Sequence, residues 1–394
     1  MPPNPPEEGK RNKMLWKVAL GLSLVGIVAA IYWYFIGQYR TYTTDAYVGG
    51  NFMLIHPQIE GVVSSICADD TNLVQKGQLL VQLDPTDKEI ALQKARAELG
   101  NSVREISSLF AQAEEMRAQV EMKQAELKKT RQDLEHRQAL IGVGGVSLED
   151  LEHAQAFFAI ALADLLLVEF RYKAAIAQVE NSSIITHPRV EAAKSNLRKA
   201  WVERQRCQIL APLTGIIAHR TVQVGEIKEP LNPLLGLVPL EQMWIEANFK
   251  ERNLRHVRVG QPAKIHVDFY GDSVEFYGQV VGIGAGTGSV FSLLPPQNAT
   301  GNWIKIVQRV PVRIAIPVTQ ILSSPLRLGL SAEVTIDTHD RSGTVFPPPL
   351  PSGELYESPI YGEQLEGVEE EIEHIIEANL NPHLLPLFFT SKDS

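Results

Sequence analysis

Cysteine is nearly absent. Cys67 and Cys207 are the only two in 394 residues, too few for a disulfide framework, and neither lies in a C-x-x-C, which excludes the common redox and zinc motifs. The ten histidines fall at no ligand spacing, so no metal centre is expected. Positive charge is also short: 37 lysines and arginines stand against 46 acids, a net charge of −9. A nucleic-acid partner would demand a basic face, and there is no surplus to build one. The stretch "GIGAGTGS" from Gly282 lacks G-x-G-x-x-G spacing and opens no helix, so it reads as a loop and not a phosphate cradle. Global disorder is excluded as well, because 44% of residues are hydrophobic and 21% charged, ordinary values for a folded protein.

One long apolar run is present. "LWKVALGLSLVGIVAAIYWYFI", residues 15–36, is interrupted only by Lys17. As a helix, residues 18–36 span about 28 Å, the thickness of a bilayer's hydrocarbon core. Tyr32, Trp33, Tyr34 and Phe35 form an aromatic belt at its far end. Lys10, Arg11, Lys13 and Lys17 precede the run and only Arg40 closely follows, so a single transmembrane helix with its N-terminus (1–14) in the cytoplasm of a bacterial cell is expected, the rest lying in the periplasm. The alternative, a cleaved signal peptide, lacks a small-x-small cleavage site and has too long a core.

"GVVSSICADDTNLVQKGQLLVQLDPTDKE", from Gly61, reads like the first half of a biotin- or lipoate-carrying domain, with Lys88 where the modifiable lysine would stand. The chain does not turn back there. Pro85 precedes Thr86-Asp87-Lys88-Glu89, a capping box in sequence. Leu92, Leu99, Ile106, Ala113, Val120, Leu127, Leu134 and Ile141 then recur every seventh residue, the seam of a long helix packed lengthwise on a partner. Lys88 therefore falls in a helix's first turn, not on the exposed hairpin that a swinging arm requires, and is read as a solvated lysine. Gly142, Gly144 and Gly145 end the helix, and Ser147 with Asp150 caps another. Its seam is Leu151, Phe158, Leu165, Tyr172 and Val179, with Ala154, Ala161, Val168 and Ala175 three residues on. The two helices make an antiparallel coiled-coil hairpin whose first arm, about 55 residues, reaches roughly 80 Å. The return arm breaks at "NSSIITHP" and restarts at Pro188.

"QILAPLTGIIAHRTVQVGEIKEPLNPLLGLVPL", residues 208–240, repeats the strand, proline, glycine and β-branched order of "MLIHPQIEGVVSSICADDTNLVQKGQLLVQL". The two pieces are halves of one carrier-like domain with a hairpin spliced into its lysine turn. After Leu240, "MWIEANF", "AKIHVDF", "EFYGQVVGI", "IKIVQRVPVRIAI" and "SAEVTI" give five or six strands of a small barrel, broken by the long loop "GAGTGSVFSLLPPQNATGN". The expected fold is mainly β with a long helical hairpin: a split lipoyl/biotinyl-like β-sandwich (45–84 and 208–240), a coiled-coil hairpin (86–206), an antiparallel β-barrel (241–340) and the N-terminal transmembrane helix.

These pieces, with "TDAYVGG", "APLTG", "ANFKE" and "GTGSVFSLLPPQNATGNWIKIVQRVPVRI", resemble the membrane fusion (periplasmic adaptor, HlyD) family, and within it the EmrA-like branch serving drug pumps of the major facilitator type. The resemblance covers about residues 41–340. It implies a membrane-anchored, non-enzymatic adaptor that oligomerises, as a trimer or hexamer, and joins an inner-membrane transporter to a TolC-like outer-membrane channel in multidrug efflux. Adaptors of ABC-type peptide or protein exporters are the alternative within the same class, and an acyl-carrier subunit is the alternative outside it. In many family members the hairpin tip carries an arginine, a leucine four residues on and a serine seven beyond. Here Leu140 and Ser147 fill the last two places, while His136 holds the arginine place and Arg137 comes one residue late. The channel contact is accordingly assigned to His136, Arg137, Leu140, Gly144 and Ser147, and the pump side of the barrel loop to Gly286, Phe291, Asn298, Asn302, Trp303 and Arg309.

The C-terminal extension, 341–394, is Pro-rich at its start and acidic: residues 342–394 hold ten acids and one lysine. Residues 366–380 pattern as an amphipathic helix with Val368, Ile372, Ile375 and Ile376 on one face. Two outcomes stay open, a poorly ordered tail or, on account of "HLLPLFF", docking onto a partner or neighbouring subunit. Cys67 and Cys207, in opposite halves of the split domain, are open to pairing in an oxidising compartment.

Overall fold

Alternating β-branched runs and heptad runs, punctuated by proline and glycine, fold in the computed structural model into two β modules and a helical arm. The structure describes residues 8–35, 37–142, 144–288, 290–291, 307–347, 349 and 353–380. In chain order, helix α1 (Glu8–Phe35) leads into β1 (Arg40–Gly50), β2 (Met53–Ile55), β3 (Gly61–Ile66), β4 (Leu73–Val74) and β5 (Leu79–Leu83). The arm follows as α2 (Thr86–Ile141), α3 (Leu148–Ile176) and α4 (Pro188–Gln205). Then come β6 (Gln208–Leu210), β7 (Gly215–Ala218), β8 (Ile227–Lys228), β9 (Leu235–Pro239), β10 (Met243–Lys250), β11 (Pro262–Val267), β12 (Glu275–Ile283) and β13 (Arg309–Ala315). Helix α5 (Val318–Ser323), β14 (Ser331–Asp337) and α6 (Val368–Asn379) complete the order.

The sandwich is two four-stranded sheets, β2-β9-β7-β4 and β6-β5-β3-β8. Each takes strands from both sides of the arm: Met53 pairs with Leu237 and Leu73 with Ile216 in the first, Gly61 with Lys228 and Val81 with Ile209 in the second. Val63, Leu80, Val81 and Leu83 are buried against Ile209, Ile217, Leu235 and Leu237 in one core. Neither half has an apolar partner until the other arrives. Cys207 lies in this core, where burial pushes its thiol pKa up, while Cys67 is exposed, and both thiols are free.

The barrel closes through six strands in the order β1-β10-β13-β12-β11-β14. Period-two alternation turns Met243, Ile245, Ala247 and Phe249 of β10 inward. Its first strand corrects the expectation for residues 45–50. The sequence reading places them in the sandwich, but Ala46–Gly50 pair with Met243–Ala247, so this segment is barrel. The apolar helix α1, with side chains of Leu15–Val28 exposed, thus feeds almost directly into the barrel.

Helix α2 is a single run of 56 residues, about 84 Å long. Of its seam, Leu92, Leu99, Ile106 and Ala113 are buried, whereas Val120, Leu127, Leu134 and Ile141 are half-buried. The change has a simple cause: α4 and α6 both cover the base, and α3 alone covers the distal half. Ion pairs set the register, Lys123 with Asp164 (3.0 Å) between α2 and α3, and Lys88 with Glu203 (3.0 Å) and Glu89 with Arg204 (3.3 Å) between α2 and α4. Lys88 is therefore a paired helix lysine at the foot of the arm.

The start of α2 departs from the expected capping box. Thr86 is the first helical residue, and the cap comes from Asp84, whose Oδ1 accepts from the Thr86 N–H (3.0 Å) and hydroxyl (2.6 Å). These bonds hold the Asp84 carboxyl below its ordinary pKa. Glu89 turns instead to Gln93 and Arg204.

The acidic tail helix forms and docks, but on its own chain. Val368, Ile372 and Ile376 of α6 are buried with Leu92, Leu99 and Val103 of α2 and Val190 and Leu197 of α4. The Arg198 guanidinium donates twice to Glu369 (2.6 and 2.9 Å), Arg96 pairs with Glu371 (3.0 Å), and Arg104 donates to Asn379 (2.9 Å). Burial decides the docking: each buried isoleucine is worth about 1.5–3 kcal/mol, a partly exposed ion pair about 0–1 kcal/mol. The "HLLPLFF" segment lies outside the described residues.

Replacing Ile372 by Asp is expected to release α6, seen as faster amide exchange over residues 92–106 and 190–197 with no change in either β module. Arg198→Ala should have a much smaller effect. The hydrogen bonds from Arg198 lower the Glu369 pKa, so the pair's contribution is complete above the unfolded carboxylate value of about 4.3 and fades as pH falls through the depressed folded value. Exchange at the arm's base that is unaltered in Ile372→Asp would refute the docking.

Candidate functional sites at the hairpin tip and the barrel edge

Among the described residues no three His, Cys, Asp or Glu side chains converge as a metal site. What the fold presents at its extremities is a glycine turn with a capped helix start at the arm's tip and a cluster of charged and polar side chains at the barrel edge.

The tip is built from glycine geometry and one cap. Gly144 has φ +75°, the left-handed region that glycine enters without strain. Its N–H bonds the Ile141 carbonyl (3.1 Å) and the Gly145 N–H bonds that of Leu140 (3.1 Å), closing the last turn of α2. Ser147 then opens α3 with a full capping box: its Oγ accepts from the Asp150 N–H (3.1 Å) and its own N–H donates to Asp150 Oδ2 (3.4 Å), with the hydroxyl donating to the same oxygen (2.6 Å). The Ser147 hydroxyl, and then its N–H, hold the Asp150 carboxyl below its ordinary pKa.

These contacts sort the five tip residues. His136 and Leu140 are exposed on α2, and Gly144 and Ser147 shape the turn. Arg137 is half-buried; it pairs with Asp133 (3.2 Å) and donates to the Asp150 carbonyl on α3 (3.0 Å). The cation near the arginine place therefore clamps the hairpin shut instead of standing free. Leu148, 65% exposed on the far side of the glycine turn from Leu140, adds apolar surface that the sequence pattern did not single out. Its signal was an apolar residue placed directly after a capping serine, where no seam needs one.

At the barrel edge, Arg309 on β13 pairs with Asp45 on β1 (2.8 Å). Asn248 on β10 donates to Asp45 Oδ1 (3.3 Å), and the Thr43 hydroxyl donates to the Asn248 carbonyl (2.8 Å). Three separate motifs, "TDAYVGG", "ANFKE" and the strand containing Arg309, thus meet at one point. Asp45 and Asn248 lie inside two of these motifs, and nothing in their sequence spacing brings them together. The Arg313 guanidinium stacks on Trp244 at 3.7 Å along the same strands. Phe291, exposed, lies against Gly286, where a Cβ would meet its ring at 2.6 Å. Asn298, Asn302 and Trp303 lie outside the described residues.

The family model for the EmrA α-helical hairpin domain matches residues 86–207. The multidrug export protein EmrA of Escherichia coli (strain K12) is 38% identical over 373 residues, covering 95% of this chain and 96% of that protein. The fatty acid resistance protein FarA of Neisseria gonorrhoeae is 41% identical over 304 residues, 75% of each chain. A solved structure of the periplasmic adaptor protein EmrA aligns with 76% of this chain and 98% of its own, at 19% identity and a TM-score of 0.38.

Ser147→Ala is expected to cost the start of α3 about 1 kcal/mol, and Gly144→Val to strain the turn. Both should raise exchange over residues 141–154 and quicken proteolysis at the tip, leaving the global melting temperature nearly unchanged. Arg137→Ala should loosen the same segment. Protection equal to the parent in all three would refute this account of the tip.

Proposed function

Because the chain belongs to the EmrA-type multidrug export branch of the membrane fusion proteins, adaptors and not enzymes, we propose that it joins a major facilitator drug pump of the inner membrane to a TolC-like outer-membrane channel, for export of small toxic compounds. The observation that supports this most is mechanical. An arm whose outgoing helix runs 56 residues without a break rises from a hub closed by chain from both of its ends. A swinging carrier needs an exposed lysine turn, and Lys88 is instead tied to Glu203.

The parts divide the labour. Helix α1 crosses the inner membrane with its N-terminus in the cytoplasm and hands the chain directly to the barrel, which sits near the pump. Gly286, Phe291, Asn298, Asn302, Trp303 and Arg309 form the pump-facing side. The tip, through His136, Leu140, Gly144 and Ser147, meets the channel, and Arg137 keeps it closed. Several copies surround the pump as a trimer or hexamer. Energy comes from the pump, and this chain supplies reach and alignment. The relative named for fatty acid resistance is a reason to test amphipathic acids as cargo beside drugs.

Co-purification after cross-linking in cells tests the division. Leu140→Asp with Leu148→Asp should lose the channel, keep the pump, and abolish resistance. Arg309→Ala should weaken pump capture while the channel is retained. Full resistance and channel capture in the tip variant would overturn the bridging role, and an ABC exporter in place of a major facilitator pump would overturn the branch-specific assignment.

A further inference from the structure

The chain is acidic overall, yet the end of the barrel that receives the membrane helix is basic. Helix α1 ends at Phe35 and β1 begins at Arg40, with a 3-10 turn, Gly37–Tyr39, between them. The chain from Phe35 to Arg40 covers at most about 18 Å even when fully extended. Strand register puts two pairs of strand ends here, Arg40 of β1 beside Asp337 of β14 and Lys250 of β10 beside Arg309 of β13. Six cations gather on this rim: Arg40, Lys250, Arg252, Arg255, Arg258 and Arg341. Contacts draw their segments together at the exit of α1. The Arg341 guanidinium lies over the Tyr39 ring (5.4 Å to its centroid), His339 packs against the same ring (4.4 Å between centroids), and the Thr338 N–H donates to the Tyr39 carbonyl (2.8 Å). From the other side Gln261 Nε2 donates to the Asp340 carbonyl (2.6 Å) and the Val259 N–H to that of Thr344 (2.9 Å). His256 registers the crowding: loss of solvent, and then the charges of Arg341, Arg255 and Arg258, push its pKa down.

Among the described residues none of the six forms an ion pair, whereas Arg309 on the same rim is taken by Asp45. The rim's own carboxylates are Glu251, Asp337 and Asp340. The last two are turned to N–H groups of the segment that follows β14, Asp337 to His339 (2.9 Å) and Asp340 to Ser342 (2.9 Å). A surplus of positive charge therefore stands on one end of a barrel in a chain of net charge −9. Like charges crowded together cost stability, and an anionic surface laid against them removes that cost. Chain continuity already places one such surface within reach. Beyond a bilayer's hydrocarbon lies a headgroup layer about 5–8 Å deep, and an anionic layer attracts lysine and arginine over a Debye length of about 8 Å at physiological salt. All but one of the six are arginines, whose forked donors match phosphate oxygens.

We infer that this rim docks on anionic phospholipid headgroups of the membrane that α1 enters, so that the barrel rests on the bilayer as well as being tethered to it. The inference rests on the anchored reading of α1. Tether and rim then act as two linked contacts with one membrane, and the second needs little intrinsic affinity because the first holds it close. The consequence is mechanical: a barrel held at two places keeps its tilt over the membrane before any pump is bound.

The test uses the full-length chain in lipid nanodiscs without pump or channel. Discs of phosphatidylcholine alone are compared with discs of an equimolar mixture of phosphatidylcholine and phosphatidylglycerol. Amide exchange over residues 250–258 and 338–344 should slow at least about threefold in the anionic discs and stay unchanged at the arm's tip. Salt at about 1 M, where the screening length is about 3 Å, should abolish the slowing. Arg252→Glu with Arg255→Glu, two exposed side chains that hold no other part of the fold, should abolish it too, with the melting temperature preserved. Equal exchange in the two kinds of disc would overturn the proposal, as would slowing that survives in the double glutamate variant. Inorganic phosphate that reproduces the slowing in phosphatidylcholine discs would overturn it in favour of a free-anion site. A chain that enters neither kind of disc would sink the anchored reading and this proposal with it, whereas entry with equal exchange sinks this proposal alone.

Discussion

Everything in this molecule depends on β5 lying beside β6. Val81 faces Ile209 and Gln82 faces Gln208, so residues separated by the entire arm are neighbours in one sheet. The arm's two roots are therefore held side by side, and α2 and α4 leave the sandwich as a pair before any helix–helix contact is made. The Leu83 N–H bonds the Cys207 carbonyl (2.8 Å), and Cys207 itself is buried in the sandwich core. Loop closure across more than a hundred residues is unfavourable in itself. The hub can meet that cost only because both halves gain their core at the same moment.

Burial of the α2 seam then falls off along the arm. At the base, α2 has α4 on one side and α6 on another, and seam residues there are fully buried. Beyond Ala113 it has α3 alone, and the same heptad positions are half-exposed. A two-helix ribbon cannot bury its seam completely, so interhelical pairs such as Lys123–Asp164 and the Arg137 clamp carry more of the registration. The acidic tail is the element that converts the foot of the arm from a ribbon into a three-helix bundle, and its isoleucines contribute more to that than its glutamates.

Periodic features were legible in the sequence, and long-range ones were not. The heptad seams of α2 and α3, the glycine break and the Ser147 cap all follow from local spacing, and the split sandwich follows from an internal repeat. The capping box at Thr86 misled because Asp84, two residues earlier, accepts from both the Thr86 N–H and its hydroxyl, while Glu89 is engaged by Gln93 and Arg204. Residues 45–50 were assigned to the wrong module because an eleven-residue strand that ends in Gly49-Gly50 carries no mark of which sheet it joins. The helical pattern of α6 was visible, yet its partner was not, since nothing in an amphipathic stripe says whether its groove lies in the same chain. At the tip, spacing located Arg137 but could not reveal that its guanidinium is spent on Asp133 and the Asp150 carbonyl.

The barrel edge shows why scattered motifs belong to one structure. Asp45 follows the membrane helix, Asn248 lies about two hundred residues later, and Arg309 stands at the end of the long loop. In the closed barrel β1 and β13 both flank β10, so a side chain from each outer strand can meet over the central one. Arg309 reaches Asp45 across Asn248, which donates to the same carboxylate and accepts from Thr43 through its carbonyl. The segment leaving the anchor and the strand leaving the loop are thereby fastened together. The ladders β1–β10 and β10–β13 already join these strands through the backbone, and the charge pair with its two hydrogen bonds adds a side-chain tie across all three.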